Sequence, residues 1–307
     1  MTLSLAGPLL LVGAGKMGGA LLEGWLRQGL DPASVFIQDP APPPEVADLA
    51  ARHGIAASAA PDLPGAPSVI LLAVKPDLTQ KLLPEVEPLI GENTVVLSIA
   101  AGRTLASLSR HLQPGVAIVR AMPNTAASVG RSITVACANE AVTRDQALEC
   151  TMLLEAVGEV VWIEDESLLD AVTAVSGSGP AYVFLLAECL AEAGRTAGLD
   201  PDLARRLARA TVEGAGEMLR RSDLSLAELR EKVTSPKGTT AAALEVLMGK
   251  GGVQDLLTRA VAAAAKRSRE LSSYSNFTLI RIIACGDEVV GAFLRAEGID
   301  ERPDQVP

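Results

Sequence analysis

Hydrophobic and polar positions follow two different patterns along the chain. As far as Ile163, short apolar runs of strand length alternate with stretches in which apolar residues recur every three or four positions. This alternation predicts parallel crossovers and a doubly wound α/β sheet. From Ser167 to about Leu271 only the helical spacing remains. We therefore expect a Rossmann-type domain over residues 1–164, an all-helical domain over 165–271, and an extension over 272–307 of unknown role.

The apolar runs predict strands at 9–12, 35–39, around 55, 69–74, 94–99, 116–121, 132–136 and 160–163. In an open sheet of parallel strands, ligands bind at the carboxyl ends. The loops that follow these strands are therefore the first candidates for chemistry.

The first strand leads into three glycines with G-x-G-x-x-G spacing, Gly13, Gly15 and Gly18. Gly13 allows a sharp turn, Gly15 lets the backbone approach a pyrophosphate, and Gly18 lets the following helix pack closely on the strand. The N–H groups and the dipole of that helix favour an anion. The stretch predicts dinucleotide binding, and an ordinary glycine turn is the alternative.

Asp39 ends the second predicted strand, about twenty residues after the last glycine of the motif. An acidic side chain there accepts hydrogen bonds from the adenosine ribose and repels a 2′-phosphate, which favours NADH. No Lys or Arg lies between Arg27 and Arg52 to bind that phosphate. The alternative is that Asp39 caps the loop.

Three more loops follow buried strands: 73–76, 98–102 and 122–124. In the first, Lys75 is either a phosphate or ribose ligand or a solvated lysine. In the last, Asn124 either hydrogen-bonds the nicotinamide amide or the substrate, or holds an Asx turn.

Two stretches interrupt the helical domain. Gly179-Pro180, preceded by three small residues, costs helix stability, about 1 kcal/mol for Gly and 3 kcal/mol for Pro relative to Ala. Either the helix kinks there for packing, or freed backbone groups face a ligand. Ser235 is a candidate N-cap with Pro236 at the first helical position, which predicts a helix start able to receive a carboxylate. An ordinary capped helix is the alternative.

Net charge, apolar run length and cysteine spacing limit the classes of function that the chain can have. A formal net charge of −10 argues against nucleic-acid binding, and no uninterrupted apolar run reaches the roughly twenty residues of a membrane span. The four cysteines lack metal-site spacing and lie in apolar surroundings. We expect buried free thiols, no metal and a cytoplasmic location. Thin, apolar, small-residue helices predict a homodimer or a larger homo-oligomer.

The residues available for acid–base chemistry favour one kind of reduction. Dehydrogenases acting on alcohols need a base, usually His or Lys. The only histidines, His53 and His111, fall at predicted helix ends, and residues 170–193 contain neither His nor Lys. A protonated imine is already an electrophile, so its reduction needs only hydride, orientation and a proton.

The motifs together resemble the pyrroline-5-carboxylate reductases. GAGKMGGAL, AVKP, SIAAG, RAMPNTAASVG, AVTAVSGSGPAY and VTSPKGTTAAALEVL occur in that family's order between Pro8 and about Leu271. The resemblance implies reduction of L-1-pyrroline-5-carboxylate to L-proline, the last step of proline biosynthesis, with NADPH or NADH as cofactor. It also implies a substrate site at a dimer interface built by the helical domain.

The resemblance also implies roles for individual residues. Those at the phosphates are Gly13, Ala14, Lys16 and Met17, and those beside the ribose and nicotinamide are Ala73, Val74, Lys75 and Ala100. Gly238, Thr239 and Thr240 are expected at the substrate carboxylate, with Thr240, the expected catalytic residue, near the imine nitrogen. The expected cofactor set is completed by Gly15, Gly18, Asp39, Pro76 and Asn124, and the expected substrate set by Ser176, Gly177, Ser178, Gly179 and Pro180.

The chain departs from the family pattern in two places. Family members commonly have Ser, Asn or Arg after the second strand and prefer NADPH, whereas this chain has Gln38-Asp39. Most members end near Leu271, so residues 272–307 are an addition. Two other functions stay open: a 3-hydroxyacid dehydrogenase, which would need a lysine on the interdomain helix, and a cofactor-binding regulatory protein without turnover.

Overall fold

A computed structural model describes residues 3–284, with side chains as far as residue 272. Within these residues the first domain is an eight-stranded sheet of order β3-β2-β1-β4-β5-β6-β7-β8. Its strands are β1 (Leu9–Val12), β2 (Val35–Gln38), β3 (Ala57–Ser58), β4 (Val69–Leu72), β5 (Val95–Ser98), β6 (Ala117–Met122), β7 (Ser132–Ala138) and β8 (Gly158–Trp162).

Five helices lie along the sheet: α1 (Lys16–Arg27), α2 (Pro44–Arg52), α3 (Pro76–Val86), α4 (Leu105–Ser109) and α5 (Arg144–Glu155). Both faces of the sheet are covered, because odd positions of β1 such as Leu9 and Leu11 pack in one apolar cluster and even positions such as Leu10 and Val12 in another. Trp25 is fully buried and donates a hydrogen bond to the Leu153 carbonyl at 2.8 Å. The expected doubly wound architecture is confirmed.

The sequence pattern predicts parallel strands throughout the sheet, and this prediction is wrong at one pair of strands. Strands β1 to β6 run parallel to one another. Strand β7 is antiparallel to β6, and β8 is parallel to β7. A short 3-10 turn, Thr125–Val129, connects β6 to β7. A parallel crossover needs about a dozen residues or more, so this short connection forces the reversal.

The helical domain comprises α6 (Leu169–Val172), α7 (Gly179–Thr196), α8 (Pro201–Arg221), α9 (Leu226–Lys232), α10 (Thr239–Leu247) and α11 (Val253–Ala284). Helices α7 and α8 pack side by side, and α11 packs on α6, where Ser268 donates to the Asp170 carboxylate at 2.5 Å. Helix α11 passes the expected domain end at residue 271 without a break. Residues 285–307, most of the expected extension, lie outside the described residues.

A partly buried ion pair joins the two domains. Arg120, in the middle of β6, is only 6% exposed, and its Nη1 donates to Glu166 Oε1 at 2.7 Å. The same oxygen accepts the N–H of Leu105 at 2.8 Å, at the start of α4. Glu166 lies just before the first helix of the helical domain. One of its carboxylate oxygens therefore connects that domain to strand β6 and to the start of α4.

Removing the cation from this pair should destabilise the protein strongly. Arg120→Ala leaves the Glu166 carboxylate, whose side chain is 26% exposed, without its counter-charge. We expect the free energy of unfolding to fall by about 2 kcal/mol, less than for a fully buried pair. Denaturant unfolding at fixed protein concentration measures the change. Arg267→Ala, which removes the exposed partner of Glu270, is the matched control and should change the stability little. Equal losses in the two variants would contradict this role for Arg120.

Candidate active site

The glycine-rich loop after β1 has the predicted strand–turn–helix geometry. Gly13 has a φ of +89°, a conformation that suits glycine, and its N–H donates to the Gln38 carbonyl at 2.9 Å. A Cβ at Gly18 would lie 2.3 Å from the Gly13 carbonyl oxygen, so only glycine lets α1 pack this closely on the turn. The loop is thereby held between β1 and β2.

The amino end of α1 is open to an anion. Its N-cap, Gly15, offers no side-chain hydrogen bond, and the first turn contains no acidic residue, so the N–H groups at Lys16 and Met17 face outward without a cap. A Cβ at Gly15 would meet no atom within 4 Å. The loop therefore leaves the space and the donors that a pyrophosphate needs.

Asp39 binds the loop rather than standing free. Its Oδ2 accepts the Ala14 N–H at 2.8 Å and its Oδ1 accepts the Ala41 N–H at 2.9 Å. The loop-capping alternative is therefore present in the structure. Its position at the end of β2, beside the glycine-rich loop, keeps its negative charge where a Rossmann domain receives the adenosine ribose.

The loops after β4 and β5 leave the same edge of the sheet. The Ala73 N–H donates to the Val12 carbonyl at 2.8 Å, which brings this loop beside the glycine-rich turn. Lys75 is exposed at the N-cap of α3, with Pro76 at its first position. Ala100 is buried in the turn after β5. The expected cofactor residues of the first domain thus gather along one edge.

Asn124 connects this edge to the helical domain. Its Oδ1 accepts the Ala126 N–H at 3.2 Å in the Asx-type turn considered as the alternative, while its Nδ2 donates to the Ser176 carbonyl at 3.1 Å. A Cβ at Gly177 would lie 2.7 Å from Met122 Cε. The side chain of Asn124 therefore holds the loop after β6 against the candidate substrate stretch.

The helix is irregular where Gly179-Pro180 predicted an interruption. Residues Thr173–Gly177 form a π turn, in which the Ser178 N–H donates to the Thr173 carbonyl at 2.8 Å, and α7 begins at Gly179. The protein itself satisfies two carbonyls of this turn: Ser176 receives Asn124, and Ala174 receives the Tyr182 hydroxyl at 3.0 Å. Hydrogen bonds within the protein satisfy both carbonyl groups, so neither needs a ligand as its partner.

The helix predicted to begin at Ser235 begins at Thr239 instead, and Ser235 is not its N-cap. The Ser235 carbonyl accepts the Gly238 N–H at 3.0 Å in a separate turn. In that turn Lys237 has a φ of 61°, the sole positive φ of a non-glycine residue among those described. Gly238 becomes the N-cap, without a side-chain hydrogen bond and with no acidic residue in the first turn. The uncapped helix start at Gly238 to Thr240 remains, with its N-cap three residues later than predicted.

Cysteine chemistry offers no competing site. Cys137, Cys150 and Cys189 are free thiols. Burial, reinforced by the Glu166 carboxylate, raises the pKa of Cys137 to about 11, so this thiol is neutral near pH 7. Cys189 is exposed on α7, contrary to the expected burial, because no other part of the described chain covers that helix face. Cys285 lies outside the described residues, within which no cluster of metal-ligating side chains occurs.

Sequence reasoning missed three side chains that organise this edge: Arg103, Arg120 and Glu166. Arg120 carried the clearest signal, because a lone arginine inside a buried apolar strand needs a counter-charge. Its partner is 46 residues away, and no short-range spacing identifies it.

One stretch, 166–196, is long and apolar enough to cross a membrane by length and composition alone. It contains the π turn and Gly179-Pro180, and almost none of it is buried in the single chain. The same stretch opens the helical domain, for which the sequence predicts a homo-oligomer, and an interface between copies of the chain accounts for its apolar surface without lipid.

The Rossmann sheet, the open glycine-rich loop and the linked helical domain define an NAD(P)H-dependent oxidoreductase. Residues 9–102 match a family model described as NADP oxidoreductase, coenzyme F420-dependent, and residues 166–271 match one described as pyrroline-5-carboxylate reductase dimerisation.

Two curated relatives are named pyrroline-5-carboxylate reductase. The Pseudomonas aeruginosa protein is 38% identical and the alignment covers 85% of this chain and 95% of the relative. The Pisum sativum protein is also 38% identical, over 85% and 94%. Among solved structures, the Coxiella burnetii reductase has 34% identity and a TM-score of 0.80, covering 87% of this chain and 99% of that one. The chain belongs to the pyrroline-5-carboxylate reductase family.

Alanine at two glycines of the motif should have different effects. Gly18→Ala places a methyl group against the Gly13 carbonyl, so we expect a lower melting temperature together with lost cofactor binding. Gly15→Ala fills only open space, so the protein should fold normally and lose cofactor affinity by about tenfold or more, since the methyl group would occupy the anion site. Thermal unfolding and fluorescence titration with NADH or NADPH measure the two effects. Normal cofactor binding by Gly15→Ala would place the pyrophosphate elsewhere.

Proposed function

We propose that the chain reduces L-1-pyrroline-5-carboxylate to L-proline as the last step of proline biosynthesis, with NADH or NADPH as the reductant. The observation that carries the proposal is the Asn124–Ser176 hydrogen bond. It joins the cofactor edge of the sheet to a helical stretch, residues 170–193, that contains neither His nor Lys. A site whose helical stretch beside the reduced nicotinamide offers neither His nor Lys as a base suits an imine.

The chain's own groups bind and orient the reactants. The reduced nicotinamide supplies the hydride. The open amino end of α1, at Gly15 to Met17, receives the pyrophosphate. The open amino end of α10, at Gly238 to Thr240 and directly after Lys237 in the chain, receives the substrate carboxylate with its backbone N–H groups and helix dipole. The Thr240 hydroxyl hydrogen-bonds the ring nitrogen and orients the acceptor carbon.

A second copy of the chain completes the site in this proposal. Helix α7 has no fully buried residue in the single chain, and Phe184 is 70% exposed. A groove of about 1800 Å³ runs between the loop after β6 and helices α7 and α8. On α10, Val246 is 76% exposed. Apolar surface of this extent, in residues that match a dimerisation domain, supports an obligate homodimer.

We also place the protein in the cytoplasm. Its relatives by name are metabolic enzymes, and three of its cysteines are free, as expected of a reducing compartment.

One assay tests the reaction and the cofactor preference together. With L-1-pyrroline-5-carboxylate and NADH or NADPH side by side, we expect proline formation with both cofactors and NADH at least comparable to NADPH. Asp39→Asn keeps an acceptor for the Ala14 N–H and removes the charge, so it should shift the ratio of kcat/KM toward NADPH. An unchanged ratio would show that Asp39 serves only the loop. Cofactor binding without turnover would favour the regulatory alternative, and oxidation of a 3-hydroxyacid would favour the dehydrogenase.

Thr240→Ala should lower kcat/KM for the imine by about tenfold or more, since a hydrogen bond to a charged partner contributes about 1.5–3 kcal/mol. The Kd of the cofactor, which binds in the other domain, should stay within twofold. Thr240→Ser keeps the hydroxyl and should recover most of the activity, and Thr258→Ala on α11 is the matched control. Full turnover by Thr240→Ala would contradict this role and point to Ser176 to Pro180 as the substrate site.

A further inference from the structure

Arg103 is a buried cation at the cofactor edge whose role neither the motifs nor the family match assigns. The strands before it, β4 and β5, run in parallel with Leu72 opposite Ser98, so their loops leave the sheet side by side. Arg103 follows the second of these loops and is only 7% exposed. Arg103 therefore lies beside the two loops that are expected next to the ribose and nicotinamide.

Two hydrogen bonds attach Arg103 to both loops. The side-chain Nε donates to the Pro76 carbonyl at 2.9 Å, which fixes the end of the Ala73–Pro76 loop where α3 begins. The backbone N–H of Arg103 donates to the Ala100 carbonyl at 3.4 Å and closes the turn after β5. Arg103 thus connects the turn at Ala100 to the loop after β4.

This arrangement is costly for the fold. Nη1 of Arg103 is buried without a hydrogen-bond partner among the described residues. Burial lowers the pKa of the guanidinium, and the nearby Asp77 carboxylate opposes part of that effect. An apolar side chain of similar length would fill the same space without desolvating a charge. Stability alone therefore does not explain an arginine here.

We propose that Arg103 is a positioning residue for the reduced cofactor, acting through the Pro76 carbonyl and the Ala100 turn to hold the two loops at the spacing that the cofactor needs. The proposal rests on the cofactor site of the proposed function. It makes Arg103 neither a ligand of the substrate nor a participant in hydride transfer.

The test compares Arg103→Met and Arg103→Lys with wild type. The control is Lys81→Met, which removes an exposed cation from α3 and so changes the net charge by the same amount as Arg103→Met. We expect Arg103→Met to raise the Kd of NADH and NADPH about fivefold, the scale of one lost hydrogen bond. Its melting temperature without cofactor should stay unchanged or rise. KM for the cofactor should follow the Kd, while kcat and KM for the imine at saturating cofactor change less than twofold. Arg103→Lys, which can still donate to Pro76, should lie closer to wild type.

The affinity measurement, made well below the melting temperature of every variant, decides the outcome. A Kd for Arg103→Met equal to that of wild type or of Lys81→Met would overturn the proposal and leave Arg103 a structural residue. A loss confined to kcat or to KM for the imine would also overturn it. Wild-type protein that binds NADH and NADPH but does not reduce the imine would refute the proposed function alone, since the positioning role is read from cofactor binding.

Discussion

A hydrogen-bonded ion pair, centred on one carboxylate oxygen of Glu166, joins the sheet to the start of the helical domain. Glu166 Oε1 accepts one hydrogen bond from the buried Arg120 guanidinium in β6 and another from the first N–H of α4. A guanidinium inside a strand cannot remain without a counter-charge, and among the described residues Glu166 is its ion-pair partner. The sheet is thereby tied to the point where the helical domain starts. The Asn124–Ser176 hydrogen bond is a second link between the same two domains.

The sequence predicted best what short-range spacing encodes. The glycine motif, the order of strands and helices and the interruption near Gly179 all depend on neighbours within a few residues, and the structure has each of them. The start of α10 was misplaced because Ser235-Pro236 satisfies the rules for a helix start, whereas the chain makes one more turn through Lys237. Two local solutions were available, and the sequence pattern favoured the wrong one.

Other features were out of reach because they depend on contacts between distant residues. The reversal of β7 follows from the length of one connection, which the apolar pattern does not reveal. Arg103 and the Arg120–Glu166 pair act through partners on other strands and loops. The exposure of Cys189 has a different origin: the apolar face of α7 is complete only beside another molecule, so residues that are core-like in composition are surface residues in one chain.

The π turn at Thr173–Gly177 has a geometric consequence for how the helical domain is used. An α-helix turns by about 100° per residue, so the extra residue in this turn offsets everything after it by roughly that angle. Leu169 before the turn and Ala174 within it are buried against their own chain; after the turn, no residue of α7 is buried. The segment from α6 to the π turn thus contributes to the core of the chain, whereas α7 contributes a surface for contact with another molecule. Deleting a single residue there would rotate a different stripe of α7 outward, so a change in chain length could alter its partner with every surface side chain unchanged.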